Sequence, residues 1–160
     1  MTENSLGRDQ SIGMTVPVWR FAASSGNPDS AAGQDRSAGT PKPLAGKHVL
    51  VVEDEFFVGL EIAETLEAAG ATIAGPAWTL ADAESLAAQG GIDMAVLDAN
   101  LNGQYAIDLG IELGRQGVRV VFATAHVDDT MMFQGEAASI PRIGKPASAR
   151  ALIRALLPAS

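Results

Sequence analysis

From residue 46 onward the sequence predicts a doubly wound α/β fold, a five-stranded parallel sheet flanked by helices. Three observations predict it. Short β-rich runs alternate with helix-length segments five times from Lys47 on. Four of the five runs are continuously apolar rather than alternating, as strands covered on both faces are. Turn residues stand at nearly every junction.

The five predicted strands are HVLVV, ATIAG, MAVLD, VRVVFA and SIPRIG. Between the first two, Gly59, Ile62, Ala63, Leu66 and Ala69 share one helical face, Glu61, Glu64 and Glu67 lie outside it, and Gly70 supplies the stop. The spacing predicts a helix over 56–69. Thr79 is placed to cap a second helix carrying Leu80, Ala83, Leu86 and Ala87, which Gly90 and Gly91 end. A third helix, over about 105–115, holds Ile107, Leu109, Gly110, Ile111 and Leu113. The next segment, VDDTMMFQGEAA, promises only a weak or irregular fourth helix, and Ser148 opens the last one, with Leu152, Ile153, Leu156 and Leu157.

Residues 1–45 read differently. They are rich in Gly, Ser, Ala, Asp and Pro without sustained periodicity, the composition of a flexible arm. Within them VPVWRF, with Val16, Val18, Trp19 and Phe21, is either a short docking motif or incidental. The arm holds four basic and four acidic side chains; residues 46–160 hold seven basic against fifteen acidic, and so carry all of the net charge of −8. Nucleic-acid binding needs a basic patch to displace counterions from phosphates, and none is present, so nucleic acid is not an expected partner. With no cysteine, disulfide frameworks and thiolate metal sites are excluded. The sequence has neither a membrane-length apolar run nor a signal-peptide pattern, so the expected location is cytoplasmic, with no membrane partner.

Right-handed crossovers force such a repeat into a doubly wound sheet, whose ligands gather at the carboxyl ends of the strands. The first strand ends in Glu53, Asp54 and Glu55, the third in Asp98, the fourth at Thr124 in FATA, and the fifth at Lys145 in GKPAS. Three carboxylates close together repel and raise one another's pKa unless a positive charge sits among them. The bland alternatives are a turn cap ahead of Asn-Gly for Asp98, a solvated rim for Glu53 and Asp54, and a strand-end hydroxyl for Thr124.

Those residues and spacings resemble the receiver domain of bacterial two-component response regulators over roughly residues 46–158, so residues 46–160 are read as one receiver domain of flavodoxin-like topology. The resemblance implies that Glu53, Asp54 and Asp98 bind Mg²⁺, with Asn100 at the position whose carbonyl joins them. It implies that Asp98 accepts the phosphoryl group and that Thr124 and Lys145 contact it. A hard cation that prefers octahedral oxygen ligands and keeps several waters suits that donor set. VLDANLNG, VVFATA and the short approach to GKP look like the FAT-GUY class of single-domain receivers that serve histidine kinases of the HWE type, with FATAH standing where FATGY is expected. The family often has the lysine–proline bond in cis.

One family feature is missing: the aromatic residue three positions before the lysine is Arg142 here. An order–disorder change in the segment after Thr124 is a candidate substitute switch. His126 is a loop histidine or a group tuning dephosphorylation. With no room after LLPAS for an output domain, the expected function is a stand-alone regulator, not an enzyme. It takes phosphoryl from a sensor histidine kinase or phosphotransfer protein, and then docks on a downstream protein or acts as a phosphate sink. The alternatives are a receiver-like module that binds proteins without phosphorylation, favoured by Arg142 and FATAH, and a haloacid-type phosphatase. The phosphatase needs a second aspartate where Asn100 stands.

Overall fold

In the computed structural model, which describes residues 42–158, strands β1 (His48–Val52), β2 (Thr72–Ala77), β3 (Met94–Leu97), β6 (Arg119–Thr124) and β7 (Arg142–Gly144) form one parallel sheet in the order β2-β1-β3-β6-β7. Helices α1 (Phe56–Ala68), α2 (Leu80–Ala88), α3 (Ile107–Arg115) and α4 (Ala149–Leu156) connect and flank them. The strand order reverses between β1 and β3, the switch point at which ligands of such sheets bind. VPVWRF lies outside the described residues. Among the described residues, no helix is long and apolar enough to cross a membrane.

The continuous apolar runs have a simple cause. Successive strand residues point to opposite faces, so Val49 and Val51 of β1 join α1 and α4 in one core, with Val96, Val121, Leu66, Leu152 and Leu156. Leu50 and Val52 join the second core with Leu97, Phe122 and Leu113, on the side covered by α2 and α3. A strand buried on both faces has no position left for a polar side chain. Gly110 marks the tightest approach: a Cβ there would lie 2.5 Å from Phe122 Cζ, so α3 comes close to β6 only because that residue has no side chain.

Thr79 and Ser148 cap α2 and α4 as expected, their hydroxyls accepting from Asp82 N at 3.1 Å and Ala151 N at 3.3 Å. Among the boundaries that differ from expectation, three have a clear structural cause. The third helix begins at Ile107 rather than about 105, because Asn100–Leu101 (β4) and Gln104–Tyr105 (β5) pair as a small antiparallel hairpin. The final strand keeps only Arg142–Gly144, since Pro141 has no N–H to extend the ladder and accepts from Phe122 N instead. The weak fourth helix is a 3₁₀ turn over Gly135–Ser139.

The folded unit also reaches further back than residue 46. Leu44, assigned to the arm on composition, is fully buried in the α1/α4 core, and its N–H bonds Ala69 O at 2.9 Å. One apolar residue in a Gly/Ser/Pro-rich stretch makes no periodic pattern, so local composition hid it.

Candidate functional site

The sheet itself aligns the candidate residues. Glu53 N donates to Ala77 O, Asp98 N to Val52 O, and Lys145 N to Thr124 O, at 2.9, 2.8 and 3.0 Å. Each residue just past a strand end is thereby still pinned to the neighbouring strand. The ends of β1, β3, β6 and β7 share one edge, so Glu53, Asp54, Asp98, Thr124 and Lys145 gather there although 92 positions of sequence separate the first from the last.

Carboxylate oxygens of Glu53, Asp54 and Asp98 all lie within 4.8 Å of one another. Glu53 and Asp98 are buried and Asp54 is half-buried. Lys145 Nζ stands 2.5 Å from both Glu53 Oε2 and Asp98 Oδ2. Burial pushes the Glu53 carboxyl above its ordinary value, Lys145 pulls it back, and Asp98 raises it further. Burial works to lower the Lys145 ammonium, but its ion pairs with Asp98 and Glu53 outweigh that and hold it above its ordinary value. The lysine is therefore a fixed positive charge at neutral pH.

The remaining candidates fall into place around this centre. Asp98 Oδ1 accepts from Asn100 N at 3.0 Å. Thr124, at the end of β6 beside β3, is buried, and its hydroxyl oxygen accepts from His126 N at 3.1 Å. The His126 residue itself is exposed. Glu55 is exposed and donates its N–H to Glu53 Oε1 at 3.3 Å. The Lys145–Pro146 peptide bond is cis.

The donor set fits a divalent cation. Three carboxylates converge with one lysine against them, leaving a net negative centre. Glu53 Oε2 is buried, and its partner is the Lys145 ammonium at 2.5 Å. A hard divalent cation offsets the negative charge that one ammonium leaves unbalanced among three carboxylates. The Asn100 side chain is turned to another use: its Oδ1 accepts from Gly103 N at 2.7 Å.

Three features escaped the sequence reading. The first is a contact made by the Asn102–Gly103 turn, whose φ of 52° and 89° are the mirror-image geometry that Asn-Gly favours. Its Asn102 N–H donates to Asp54 Oδ2 at 3.0 Å, across 48 residues; the Asn-Gly pair was the available signal. Phe56 and Phe57, at the start of α1 beside the acids, are exposed, Phe57 by 82%, and Phe56 stacks on Trp78 at 5.0 Å. Finally, Arg142 lies 4.6 Å over the ring of buried Phe133, which packs on Phe122 at 5.3 Å. Aromatic bulk near β7 thus comes from the segment after Thr124, not from the strand.

No family model matches the chain, and no curated protein matches it. Similarity to solved structures is extensive. SdrG from Pseudomonas melonis Fr1, solved in its BeF3-activated conformation, is 31% identical over 70% of this chain and 94% of its own, with a TM-score of 0.58. The N-terminal domain of a response regulator/sensory box/GGDEF three-domain protein from Carboxydothermus hydrogenoformans is 27% identical over 68% of this chain and 90% of that one, with a TM-score of 0.55. A response regulator from Burkholderia pseudomallei shares the fold at 21% identity and a TM-score of 0.62; the match covers 69% of this chain and 66% of that chain's length.

Proposed function

Because the chain belongs to the response regulator receiver family, we propose that it accepts a phosphoryl group on Asp98 from a sensor histidine kinase or phosphotransfer protein, in a Mg²⁺-dependent reaction. The observation that carries this reading is the single centre in which Asp98 stands 2.5 Å from Lys145 and within 4.8 Å of Glu53 and Asp54. The Burkholderia regulator of similar fold holds a phosphorylated aspartic acid and a calcium ion, which supports both the acceptor and the divalent site.

Asp98 supplies the nucleophile. One of its carboxylate oxygens forms a bond to phosphorus while the bond from phosphorus to the donor nitrogen breaks, and that nitrogen keeps the electron pair. Lys145, held charged, moves from pairing the bare carboxylate to pairing the added phosphoryl oxygens. The Thr124 hydroxyl, at the neighbouring strand end, donates to another of them. Glu53, Asp54, Asp98 and the Asn100 carbonyl would hold Mg²⁺, which when bound neutralises the carboxylates and the incoming phosphoryl oxygens. On this reading the protein is a phosphoacceptor and not an enzyme acting on a separate substrate. VLDANLNG and VVFATA support a reading as a FAT-GUY receiver with an HWE-type kinase as donor, with FATAH standing where FATGY is expected. The exposed Phe56 and Phe57 beside the acceptor favour a protein as donor or target.

Arg142 favours a second reading, a receiver-like module that binds proteins without being phosphorylated, since the residue stacked on Phe133 is a cation and not an inward-swinging aromatic. Intact mass after incubation with acetyl phosphate and Mg²⁺ decides between them. The first reading expects one added phosphoryl group, about 80 Da, lost in Asp98→Asn. An unmodified wild type selects the second.

A further inference from the structure

We propose that Asn100 is a positioning residue for Asp54, acting through the hairpin turn rather than through any contact of its side chain with the phosphoryl group. The inference rests on the divalent-metal reading of the site and asks how the half-buried carboxylate is aimed. Glu53 and Asp98 are walled in by the sheet, and both touch Lys145. Asp54 has neither constraint. It lies past the strand end, on the way into α1, where a carboxylate is free to rotate about its terminal torsion.

The restraint comes from the neighbouring strand end, where the chain leaves β3. Asn100 Oδ1 accepts Gly103 N at 2.7 Å, which closes the two-residue turn with Asn102 and Gly103 both at positive φ. In that turn the Asn102 N–H points at Asp54 Oδ2, 3.0 Å away, and takes that oxygen. One oxygen held by a backbone donor sets the plane of the carboxylate toward Glu53 and Asp98. Outer hydrogen bonds of this kind commonly decide how well a ligand is presented to a metal. The Asn100 main chain serves the same centre directly, its N–H holding Asp98 Oδ1 at 3.0 Å. A single residue thus orients one carboxylate directly and a second through the turn.

The test is Mg²⁺ affinity, read by titration of the full-length protein with Mg²⁺ alone and by thermal melting without metal. Asn100→Ala keeps the main-chain carbonyl and N–H but opens the turn. It should weaken Mg²⁺ binding about 10-fold or more while leaving metal-free melting nearly unchanged. Gly103→Val strains the same turn from outside, where nothing lies within 4 Å of a Cβ, and should weaken binding likewise. In an Asp54→Asn background the Asn100→Ala loss should disappear, since the carboxylate it aims is gone. A wild type that binds no Mg²⁺ overturns the metal reading and the positioning role together. A wild type that binds Mg²⁺, with Asn100→Ala and Gly103→Val of equal affinity, overturns the positioning role alone. Losses of equal size with and without Asp54 also overturn it, assigning Asn100 to Asp98.

Discussion

Replacing Asp54 by asparagine should stabilise the metal-free protein, the reverse of what most substitutions do. Three carboxylates within 4.8 Å face one lysine, so in the absence of a cation the centre carries excess negative charge. At 4.8 Å a unit repulsion is about 0.9 kcal/mol in water and about 3.5 kcal/mol at an effective dielectric of about 20. Asp54 feels two repulsions, from Glu53 and Asp98, and one offsetting attraction from Lys145, leaving roughly one unit. Half-exposed as it is, it belongs toward the wetter limit, so about 1–2 kcal/mol is the expected gain, or about 4–8 °C in Tm for a domain this size. The asparagine oxygen can still accept from Asn102 N, so the lost interaction is small. Asp98→Asn is a poorer probe because it also breaks the ion pair with Lys145, a loss that offsets the relieved repulsion. The assay is thermal melting of wild type and Asp54→Asn at fixed ionic strength, with and without Mg²⁺. Wild type should gain from Mg²⁺, by about 1.4 kcal/mol at ten times its Kd, and the variant should gain much less. A metal-free Asp54→Asn that melts at or below wild type would refute the repulsion argument.

Other outcomes follow from the same contacts. Leu44→Ala should cost about 2–5 kcal/mol, read by urea unfolding, and removing residues 1–44 should lower Tm by more than removing residues 1–41, because only the former discards that core side chain. Gly110→Ala should cost about 1–3 kcal/mol, since its Cβ would sit 2.5 Å from the buried Phe122 ring. Burial and Asp98 hold Glu53 above its ordinary 4.5 against the pull of Lys145, so the folded, metal-free protein binds that proton more tightly than the unfolded chain does. Its contribution to stability is present below about 4.5 and is lost as pH rises through the higher folded value. Mg²⁺ needs the carboxylate, so the Mg²⁺-induced rise in Tm should shrink as pH falls from about 8 to about 5; a rise independent of pH would take Glu53 out of the site. Phe133→Ala should cost about 3–5 kcal/mol, because its ring joins Phe122 to Arg142; melting near wild type would mean the segment after Thr124 does not depend on that packing.

Much of this molecule is determined by local sequence. Strands buried on both faces must be apolar at every position, which is why HVLVV, MAVLD and VRVVFA declare a parallel sheet without any knowledge of contacts. Thr79 and Ser148 announce helix starts because the capping oxygen and the N–H it serves are three residues apart. Once the repeat is right-handed, the strand ends share an edge, so Glu53, Asp54, Asp98, Thr124 and Lys145 are predictable as neighbours. Tertiary structure alone decided the rest, because the forces there act between residues distant in the chain. Leu44 is core only because Ala69 and the α1/α4 layer lie over it. Asn100 closes a turn whose importance rests on Asp54, 48 residues from the Asn102 N–H that holds it. Phe133 and Arg142 meet only because the chain after Thr124 forgoes a full helix and folds back over β6, exchanging helical hydrogen bonds for burial of one ring.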